Sequence, residues 1–319
     1  QKKIDRLNKG REAMLLIEAY RKEKDDRRLY GYTDVLRIVV DTLSEDEALR
    51  ADLQERYQYV LADEHQDANA LQHALLDALA FIMIEIQSLS KKFGRLEALK
   101  NINLSCNRGQ CIALIGPNGC GKTTLIKAIL GMVVPNKGNI MFDGENISGK
   151  VNYRKNIGYM PQIGRYPDNM TVGQIIGMMK EIRKSDSLPD DDLLNAFNLK
   201  TLFNKRMRTL SGGTTQKVSA TLAFLFNPEV LILDEPTAGL DPIASEILKE
   251  KMMTEQKNGK LILITSHVLS ELDDLVSQII FMQDGEVQFH KTIDEVKLTS
   301  GENKMSKAIT IILKNRNNE

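Results

Sequence analysis

The stretch Gly116-Pro-Asn-Gly-Cys-Gly-Lys-Thr-Thr124 lies between a strand-like segment at 110–115 and a helix-forming segment at 123–130. Its spacing, Gly-x-x-x-x-Gly-Lys-Thr between a strand and a helix, is the pattern of a phosphate-binding loop. Glycines let backbone N–H groups turn inward around phosphate oxygens, and the helix N-terminus adds partial positive charge. We predict that Lys122 reaches the β- and γ-phosphates of a nucleotide and that the Thr123 hydroxyl ligates Mg²⁺. The predicted nucleotide contacts in this loop are Gly116, Pro117, Asn118, Gly119, Cys120, Gly121, Lys122, Thr123 and Thr124.

The composition of the chain narrows the class of protein. Of its 319 residues, 42% are hydrophobic and 27% are charged, as in a globular protein. Basic and acidic residues number 43 each, so the net charge predicts no attraction to nucleic acid or anionic lipid. No apolar run approaches the roughly 20 residues that span a bilayer, and the N-terminus lacks the apolar core of a signal peptide. We expect a cytoplasmic protein that reaches a membrane only through a partner.

The three cysteines, Cys106, Cys111 and Cys120, are too few and too closely grouped for a disulfide framework. Their number indicates a reducing compartment. Cys120 lies in the phosphate loop near a predicted helix N-terminus, where a thiol pKa can be lowered. Two interpretations stay open for Cys120, a redox-sensitive thiol and a small side chain that fills the loop.

A pair of carboxylates ends a later apolar run, Val230-Leu-Ile-Leu-Asp234-Glu235. In α/β proteins, ligands bind at the carboxyl ends of the strands. We therefore predict that Asp234 holds Mg²⁺ through water and that Glu235 orients or deprotonates the attacking water. The continuous apolar runs at 230–233 and 261–265 are typical of parallel strands buried on both faces.

The composition and pattern of the sequence change at about 82/83. Charged segments with helical periodicity precede this point, and predicted strands separated by glycines follow it. Domain boundaries usually carry a linker, and no Gly-, Pro- or Ser-rich linker is present here. After the boundary, the predicted strands are 83–88, 98–105, 110–115, 138–143, 230–233 and 261–265, and the predicted helices are 123–130, 171–183, 190–203 and 213–226. Before it, the predicted helices are 10–28, 33–43, 45–57 and 69–81, with a short strand at 57–62.

The segment Thr209-Leu-Ser211-Gly212-Gly213-Thr-Thr-Gln216 narrows the class of ATPase. It resembles the Leu-Ser-Gly-Gly-Gln signature of the ABC transporter ATPase family, and it lies 23 residues before Asp234, as in that family. The resemblance implies that Ser211, Gly212 and Gly213 bind the γ-phosphate of ATP held by the opposite subunit. The chain has Thr214 where the family has glutamine.

Other positions match the same family. Phe93, in Lys-Lys-Phe-Gly, resembles the aromatic residue that stacks on adenine, and Gln162, in Tyr-Met-Pro-Gln, resembles the glutamine that approaches Mg²⁺ and relays the nucleotide state. His267, after an apolar strand, resembles the histidine that contacts the γ-phosphate. The segment 238–241 resembles the loop that packs across the dimer. Taken alone, a Phe is more often core, a loop Gln is usually solvated, and a His after a strand is more often a satisfied cap.

The resemblance covers residues 83–319 and implies an α/β fold. A RecA-like, mostly parallel sheet carries the nucleotide, with an antiparallel β subdomain and a helical subdomain at about 165–225. It also implies a head-to-tail homodimer that encloses two ATP–Mg²⁺, with Glu235, His267 and Lys122 as catalytic residues. That dimer drives an integral membrane permease from the inner face of the cell membrane.

A narrower resemblance is to the ATPase subunit of the copper-processing ABC system that matures nitrous-oxide reductase. It lies in the segments 158–162, 165–170, 223–228 and 266–272. Since partner subunits choose the transported substrate, these residues imply copper-site maturation only as an expectation.

Residues 1–82 contain a different motif, Asp63-Glu64-His-Gln66-Asp67, which resembles the Asp-Glu-x-Gln-Asp box of UvrD/Rep-type superfamily 1 helicases. No phosphate loop precedes this box within residues 1–62, so the segment is not expected to hydrolyse ATP. Three interpretations remain: a chimeric or mis-joined reading frame, a fusion with a vestigial helicase piece, and an unrelated helical extension. As a fragment it would expose the face that its missing partners cover, and we predict poor stability.

Two competing functions remain. One is a soluble ABC ATPase of DNA repair or translation, although those usually carry paired cassettes or long coiled-coil insertions. The other is a DNA-dependent ATPase related to helicases, which the absence of a basic stripe disfavours. No nucleic-acid partner is expected for residues 83–319.

Overall fold

The computed structural model describes residues 82–183, 188–266, 275–302 and 305–316, together with Val39 and Thr42. The chain divides into two units, residues 1–81 and 82–319. In the first unit, the two described residues are helical and fall within the helix predicted at 33–43. The other predictions for that unit lie outside the described residues: the helices at 10–28, 45–57 and 69–81, the strand at 57–62 and the box at 63–67.

A six-stranded sheet forms the centre of the second unit, in the order β10-β9-β3-β8-β7-β6. Its strands are β3 (Cys111–Ile115), β6 (Ile157–Met160), β7 (Val230–Asp234), β8 (Leu261–Thr265), β9 (Gln278–Gln283) and β10 (Glu286–Thr292). All neighbours pair in parallel except the edge strand β10, which is antiparallel to β9. Every residue of β3, β7 and β8 is buried. For β7 and β8, the continuous apolar runs predicted this burial.

A second, antiparallel sheet of four strands has the order β2-β1-β4-β5. Its strands are β1 (Ile82–Phe93), β2 (Leu96–Asn107), β4 (Lys137–Phe142) and β5 (Glu145–Asn146). The strand predicted at 83–88 is longer in the structure, because pairing of Phe93 with Leu96 extends the β1–β2 hairpin past a polar stretch. Register shifts along this pairing break the regular alternation that a sequence pattern relies on.

The helices are α1 (Lys122–Ile129), α2 (Val172–Arg183), α3 (Asp192–Ala196), α4 (Gly212–Phe224), α5 (Pro242–Lys257), α6 (Ile293–Ser300) and α7 (Met305–Arg316). The continuous helix predicted at 190–203 is wrong. Helix α3 ends at Ala196, Asn198 has a left-handed φ of 51°, and a 3₁₀ turn follows over Leu199–Leu202. Asparagine tolerates this conformation, and the break places Leu199 in the core shared by α2, α3 and α4.

The central sheet separates two larger apolar cores. Along β3, Ile112 and Leu114 face the core that includes α1 and the antiparallel sheet, whereas Cys111, Ala113 and Ile115 face the core that includes α5, α6 and α7. This alternation is the period-2 geometry of a strand. Together with the smaller core of α2–α4, it confirms the predicted α/β architecture. Among the described residues, no helix combines the length and apolarity needed to cross a membrane.

Candidate nucleotide-binding site

The loop at 116–121 connects β3 to α1 and is packed tightly against neighbouring strands. Gly116 and Gly121 have φ values of 149° and 109°. A Cβ on Gly116 would lie 2.0 Å from the carbonyl oxygen of Met282 in β9, and one on Gly121 would lie 2.6 Å from that of Ala98 in β2. Both positions therefore require glycine, and the backbone of the loop is held at the carboxyl end of the central strand.

The Lys122 ammonium lies inside the curve of this loop. Its Nζ donates to the carbonyl oxygens of Gly116 at 2.7 Å and Pro117 at 3.1 Å. The Sγ of Cys120 is 3.8 Å from the same Nζ, and the Cys120 side chain is buried. This burial favours the interpretation of Cys120 as a residue that fills the loop.

The carboxylates at the end of β7 are fixed by the neighbouring strand. Asp234 is 8% exposed, and its Oδ1 accepts a hydrogen bond from Thr265 Oγ1 at the end of β8. The Glu235 backbone N–H donates to the Thr265 carbonyl oxygen at 3.2 Å and to Thr265 Oγ1 at 3.1 Å. Thr265 thus supports both acidic residues, and Glu235 itself has a left-handed φ of 53°.

A cleft of about 520 Å³ joins the predicted nucleotide residues. It is lined by Phe93, Leu96, Ala98, Asn118, Gly119, Gly121, Lys122, Thr123, Thr124, Gln162, Asp234 and Glu235. The structure therefore brings the loop together with the hairpin aromatic, the loop glutamine and the two carboxylates. Three further residues of the loop do not line the cleft: Gly116, Pro117 and Cys120.

Phe93 lies at the tip of the β1–β2 hairpin and is 49% exposed. The Lys91 ammonium is 5.0 Å from the centroid of its ring. Leu96, which pairs with Phe93 across the turn, is 67% exposed. An exposed aromatic ring beside an aliphatic side chain in a cleft provides an apolar platform for a planar base.

The oxygen atoms offered by this cleft suit a hard divalent cation. Among the described residues there is no group of three or more His, Cys, Asp or Glu side chains that could hold a metal ion by themselves. Mg²⁺ is usually held by one or two carboxylates together with substrate phosphates and water. Thr123, Gln162 and Asp234 all line the cleft, so they offer a hydroxyl, an amide and a carboxylate to such an ion.

The Ser-Gly-Gly segment forms the N-terminus of α4 and does not line the cleft. Ser211 caps the helix, since its Oγ accepts from the Thr214 backbone N–H at 3.2 Å. The Thr214 hydroxyl lies 2.8 Å from the same Oγ. Ser211 and Gly212 are exposed, and neither they nor Gly213 line the cleft described above. His267 lies in the segment 267–274, outside the described residues.

Sequence reasoning missed Thr265, Leu96 and Ala98. Thr265 does carry a signal, because it ends the apolar run of β8 in register with Asp234 on β7. Leu96 and Ala98 carry none, since their place in the cleft depends on the hairpin that folds them over the loop.

Comparison with known proteins identifies the family of the second unit, residues 82–319. The lantibiotic transport ATP-binding protein SrtF of Streptococcus pyogenes is 34% identical over 217 residues, which are 66% of this chain and 92% of that protein. The chain belongs to the ABC transporter family. The family model described as ABC transporter matches residues 99–238 of this ATPase subunit. Because ABC ATP-binding cassettes bind and hydrolyse ATP, the subunit is an ATPase.

Solved structures of this ABC family share the fold. One described as the ATP binding subunit of an ABC transporter is 27% identical, with a TM-score of 0.66 over 72% of this chain and 98% of that chain. A bacterial ABC transporter cassette with a dimeric structure is 23% identical, with a TM-score of 0.59 over 66% of this chain and 99% of that chain. The first unit of the chain matches another family. A family model described as the UvrD/REP helicase N-terminal domain matches residues 1–85.

Proposed function

We propose that this chain is the ATP-hydrolysing subunit of an ABC transporter, that it works as a head-to-tail homodimer, and that it drives a separate membrane permease. The observation that carries the proposal is the cleft in which Lys122 and Thr123 meet Asp234 and Glu235. A phosphate-binding loop after β3 and a carboxylate pair at the end of β7, with β8 between these two strands, are the parts that phosphoryl transfer to water requires.

Each side chain of the cleft has a proposed role. Lys122 neutralises the β- and γ-phosphates, and Phe93 stacks on the adenine. Thr123, Gln162 and Asp234 hold Mg²⁺, which when bound neutralises the charge that develops on the phosphates.

Glu235 accepts a proton from the attacking water, and the hydrogen bonds from its backbone N–H to Thr265 fix the backbone that carries this carboxylate. His267 follows β8 in the sequence, and we assign it the γ-phosphate contact that the family resemblance implies.

A second copy is needed to bring the Ser-Gly-Gly segment to a nucleotide. Within one chain, the cleft is not lined by Ser211, Gly212 or Gly213. The N-terminus of α4 carries partial positive charge and the exposed Ser211 hydroxyl, which together suit the γ-phosphate of another copy's ATP. The related bacterial cassette with a dimeric structure supports this arrangement. ATP binding closes the dimer, and hydrolysis reopens it.

The permease is proposed as the route by which the subunit reaches the membrane. The segment around Gln162 extends from the cleft to the surface, since Gln162 lines the cleft and the adjacent Ile163 is 69% exposed. This segment would pass the nucleotide state to the permease, on the inner face of the cell membrane. The role of the relative SrtF in lantibiotic transport supports a transport role here.

The substrate proposal is the maturation of a copper site, as in nitrous-oxide reductase. It rests on the sequence segments 158–162, 165–170, 223–228 and 266–272. The test is to delete the gene and to measure the copper content of nitrous-oxide reductase in the same cells. We expect loss of copper from the enzyme, and full copper content would contradict the assignment.

For residues 1–82 we propose a helicase-derived segment joined to the ATPase, either by natural fusion or by a mis-joined frame. The match of residues 1–85 to the helicase domain supports this origin over an unrelated extension. Limited proteolysis tests its predicted poor stability. Resistance of residues 1–82 equal to that of the ATPase unit would contradict the prediction.

The same match favours one competing function, a DNA-dependent ATPase. Steady-state ATP hydrolysis with and without single-stranded DNA separates the two functions. The ABC transporter proposal expects equal rates, whereas stimulation by DNA would favour the competitor.

The main proposal is tested with Glu235→Gln, which keeps the size of the side chain and removes the base. We expect this variant to bind ATP, to lose turnover and to accumulate as a dimer in size-exclusion chromatography with light scattering. Glu246→Gln, on the exposed face of α5, is the matched control and should hydrolyse ATP like the wild type. Wild-type turnover in Glu235→Gln would overturn the assignment of the base.

A further inference from the structure

The Lys91 side chain lies beside the aromatic ring at the tip of the β1–β2 hairpin. Its Nζ is 5.0 Å from the centroid of the Phe93 ring, over one face of that ring. The two residues are two positions apart in β1, a spacing that puts side chains on the same side of a strand. Lys91 is half-buried and does not line the cleft, whereas Phe93 does. The ammonium therefore covers the ring face that is turned away from the cleft, and the other face is left for a base.

The Lys91 ammonium is also anchored to the segment that follows α1. Its Nζ donates to the Val134 carbonyl oxygen at 2.7 Å. The neighbouring backbone is held by the same segment, because the Lys92 N–H donates to Asn136 Oδ1 at 2.7 Å and the Asn136 N–H donates to the Ser90 carbonyl oxygen at 2.8 Å. With its backbone and its nitrogen both held, the Lys91 side chain has a defined position over the ring.

The segment that anchors the ammonium continues directly from the helix of the phosphate loop. Helix α1 begins at Lys122. Beyond its last turn, the backbone N–H groups of Met132 and Val133 donate to the Lys127 carbonyl oxygen at 2.8 and 3.1 Å, which holds the segment 132–136 against the helix. The same helix therefore carries the phosphate loop at one end and, through this segment, the anchor of the ammonium at the other. A nucleotide spans both the ring and the loop, so its affinity depends on how the ring is placed relative to α1.

We propose that Lys91 is a positioning residue for nucleotide binding, because its ammonium holds the Phe93 ring in the orientation in which the base stacks on the free face. The proposal rests on the proposed function, in which Phe93 stacks on the adenine. A cation over one face of an aromatic ring is attracted by the quadrupole of the ring. A ring that is held in its bound orientation before the nucleotide arrives loses less side-chain freedom on binding, so the affinity is higher. Lys91 acts through the ring and contacts no part of the nucleotide.

The chain has no tryptophan, which gives a direct readout at this position. Phe93→Trp places a single indole at the tip of the hairpin, and indole is the best ring for a cation–π contact. Stacking of adenine should quench its fluorescence, so titration of the full chain with ADP and Mg²⁺ gives a Kd. ADP carries the same base as ATP and is not consumed during the titration. The decay of fluorescence anisotropy, measured without nucleotide, reports how firmly the ring is held.

In the Phe93→Trp background, Lys91→Met should raise the Kd for ADP about two- to fivefold, the size of an exposed cation–π contact, and should speed the decay of anisotropy. Lys91→Arg keeps a cation that can also donate to the Val134 carbonyl oxygen, so both values should stay close to those of the parent. Lys92→Met is the matched control. It breaks an exposed ion pair with Glu97 at 3.3 Å, keeps the backbone N–H of residue 92, and should change neither value.

Steady-state kinetics with the natural ring gives an independent measurement. Lys91→Met should raise the KM for ATP about two- to fivefold. Its kcat should stay within about twofold of the wild-type value, because the lost interaction is the same in the ground state and the transition state. In a Phe93→Leu background, Lys91→Met should have no further effect on KM, because the ring through which it acts is absent.

An unchanged Kd for ADP, or an unchanged anisotropy decay, in Lys91→Met would overturn the inference, since the ring would then need no cation. A rise in KM that is equally large in the Phe93→Leu background would overturn it too, because Lys91 would then act on the nucleotide or on the fold. Both results leave the proposed function intact. If ADP leaves the fluorescence of Phe93→Trp unchanged, the assignment of Phe93 to the adenine fails first, and the inference fails with it.

Discussion

Thr265 Oγ1 donates a hydrogen bond to Asp234 Oδ1 and accepts one from the Glu235 backbone N–H at 3.1 Å. One hydroxyl at the end of β8 therefore orients both acidic residues at the end of β7. The parallel register of the two strands, with Asp234 opposite Thr265, makes this possible. The metal-binding and proton-accepting groups of the proposed site are thus supported by a residue that itself touches neither water nor nucleotide in the proposed chemistry.

Thr265→Val tests this support, because valine keeps the shape of threonine and removes the hydroxyl. We expect kcat to fall about tenfold and the free energy of unfolding to fall by about 1–3 kcal/mol, since buried Asp234 loses a donor. Steady-state ATP hydrolysis and denaturant unfolding measure the two effects. Thr265→Ser keeps the hydroxyl and should retain most of the activity. Equal activity in the Val and wild-type proteins would show that Asp234 needs no such donor.

Thr214 takes the place of the family's glutamine, and its hydroxyl lies 2.8 Å from Ser211 Oγ. In the proposed dimer, the Ser211 hydroxyl donates to the phosphate oxygens of ATP, which can only accept, and this leaves the Thr214 hydroxyl as the donor to Ser211. Thr214→Val should therefore lower kcat about threefold and weaken the ATP-bound dimer of Glu235→Gln, while Thr214→Ser should retain both. Sedimentation of the dimer with ATP checks the prediction. Tighter dimerisation of Thr214→Val would contradict the assignment of the Thr214 hydroxyl as the donor to Ser211.

Gly116→Ala should abolish ATP binding, because the new Cβ would meet the Met282 carbonyl oxygen at 2.0 Å. Gly144→Ala is the matched control. Gly144 has a φ of 75°, but no described atom lies within 4 Å of the position that a Cβ would take, so only backbone strain is added there, about 1–2 kcal/mol. Titration with a fluorescent ATP analogue should show wild-type affinity for the control alone. Retained ATP binding in Gly116→Ala would mean that the loop and β9 can separate.

A buried ionic cluster joins α5 to the start of α3. Lys251 Nζ contacts Asp190 at 2.6 Å, Asp192 at 2.7 Å and Glu255 at 2.8 Å, and the Lys251 side chain is 9% exposed. Lys251→Met leaves Asp190, whose side chain is 14% exposed, without a cation and removes one of the two cations beside buried Glu255, so it should cost about 3 kcal/mol of unfolding free energy. Lys150→Met, which breaks an exposed pair with Glu145, should cost much less, because water screens that pair. Guanidinium unfolding of both variants decides the comparison.

The same cluster predicts an acid-dependent stability. Burial raises the pKa of Glu255, but hydrogen bonds from Lys251 and Lys260 outweigh it and hold the pKa below its ordinary value of 4.5. The unfolded chain therefore binds the proton first, so the stability that Glu255 contributes above pH 4.5 is lost as the pH falls through the lower folded pKa. Glu255→Gln should unfold more easily at neutral pH and show a flatter loss of stability below pH 4.5 than the wild type. If the free energy of unfolding falls with pH equally steeply in the two proteins, the assigned role of Glu255 is wrong.

The local motifs of the site were predictable because their chemistry depends on residue type and short spacing. The strand–loop–helix order around Lys122 and the apolar run ending in Asp234 are visible in the sequence and present in the structure. The helix predicted at 190–203 failed because the left-handed turn at Asn198 interrupts an otherwise helical pattern. The full length of the β1–β2 hairpin was missed because cross-strand pairing, rather than alternation, sustains it.

By itself, the sequence determined that this protein handles ATP and belongs with the ABC ATPases, because phosphate binding and phosphoryl transfer need particular residues within a few positions of one another. Only the tertiary structure decided that Thr265 supports Asp234, that Gly116 is pressed against Met282, and that Lys217 ties α4 to Asp241. These pairs are separated by 24 residues or more in the chain, so their contact depends on how the strands and helices pack, and no local pattern encodes it.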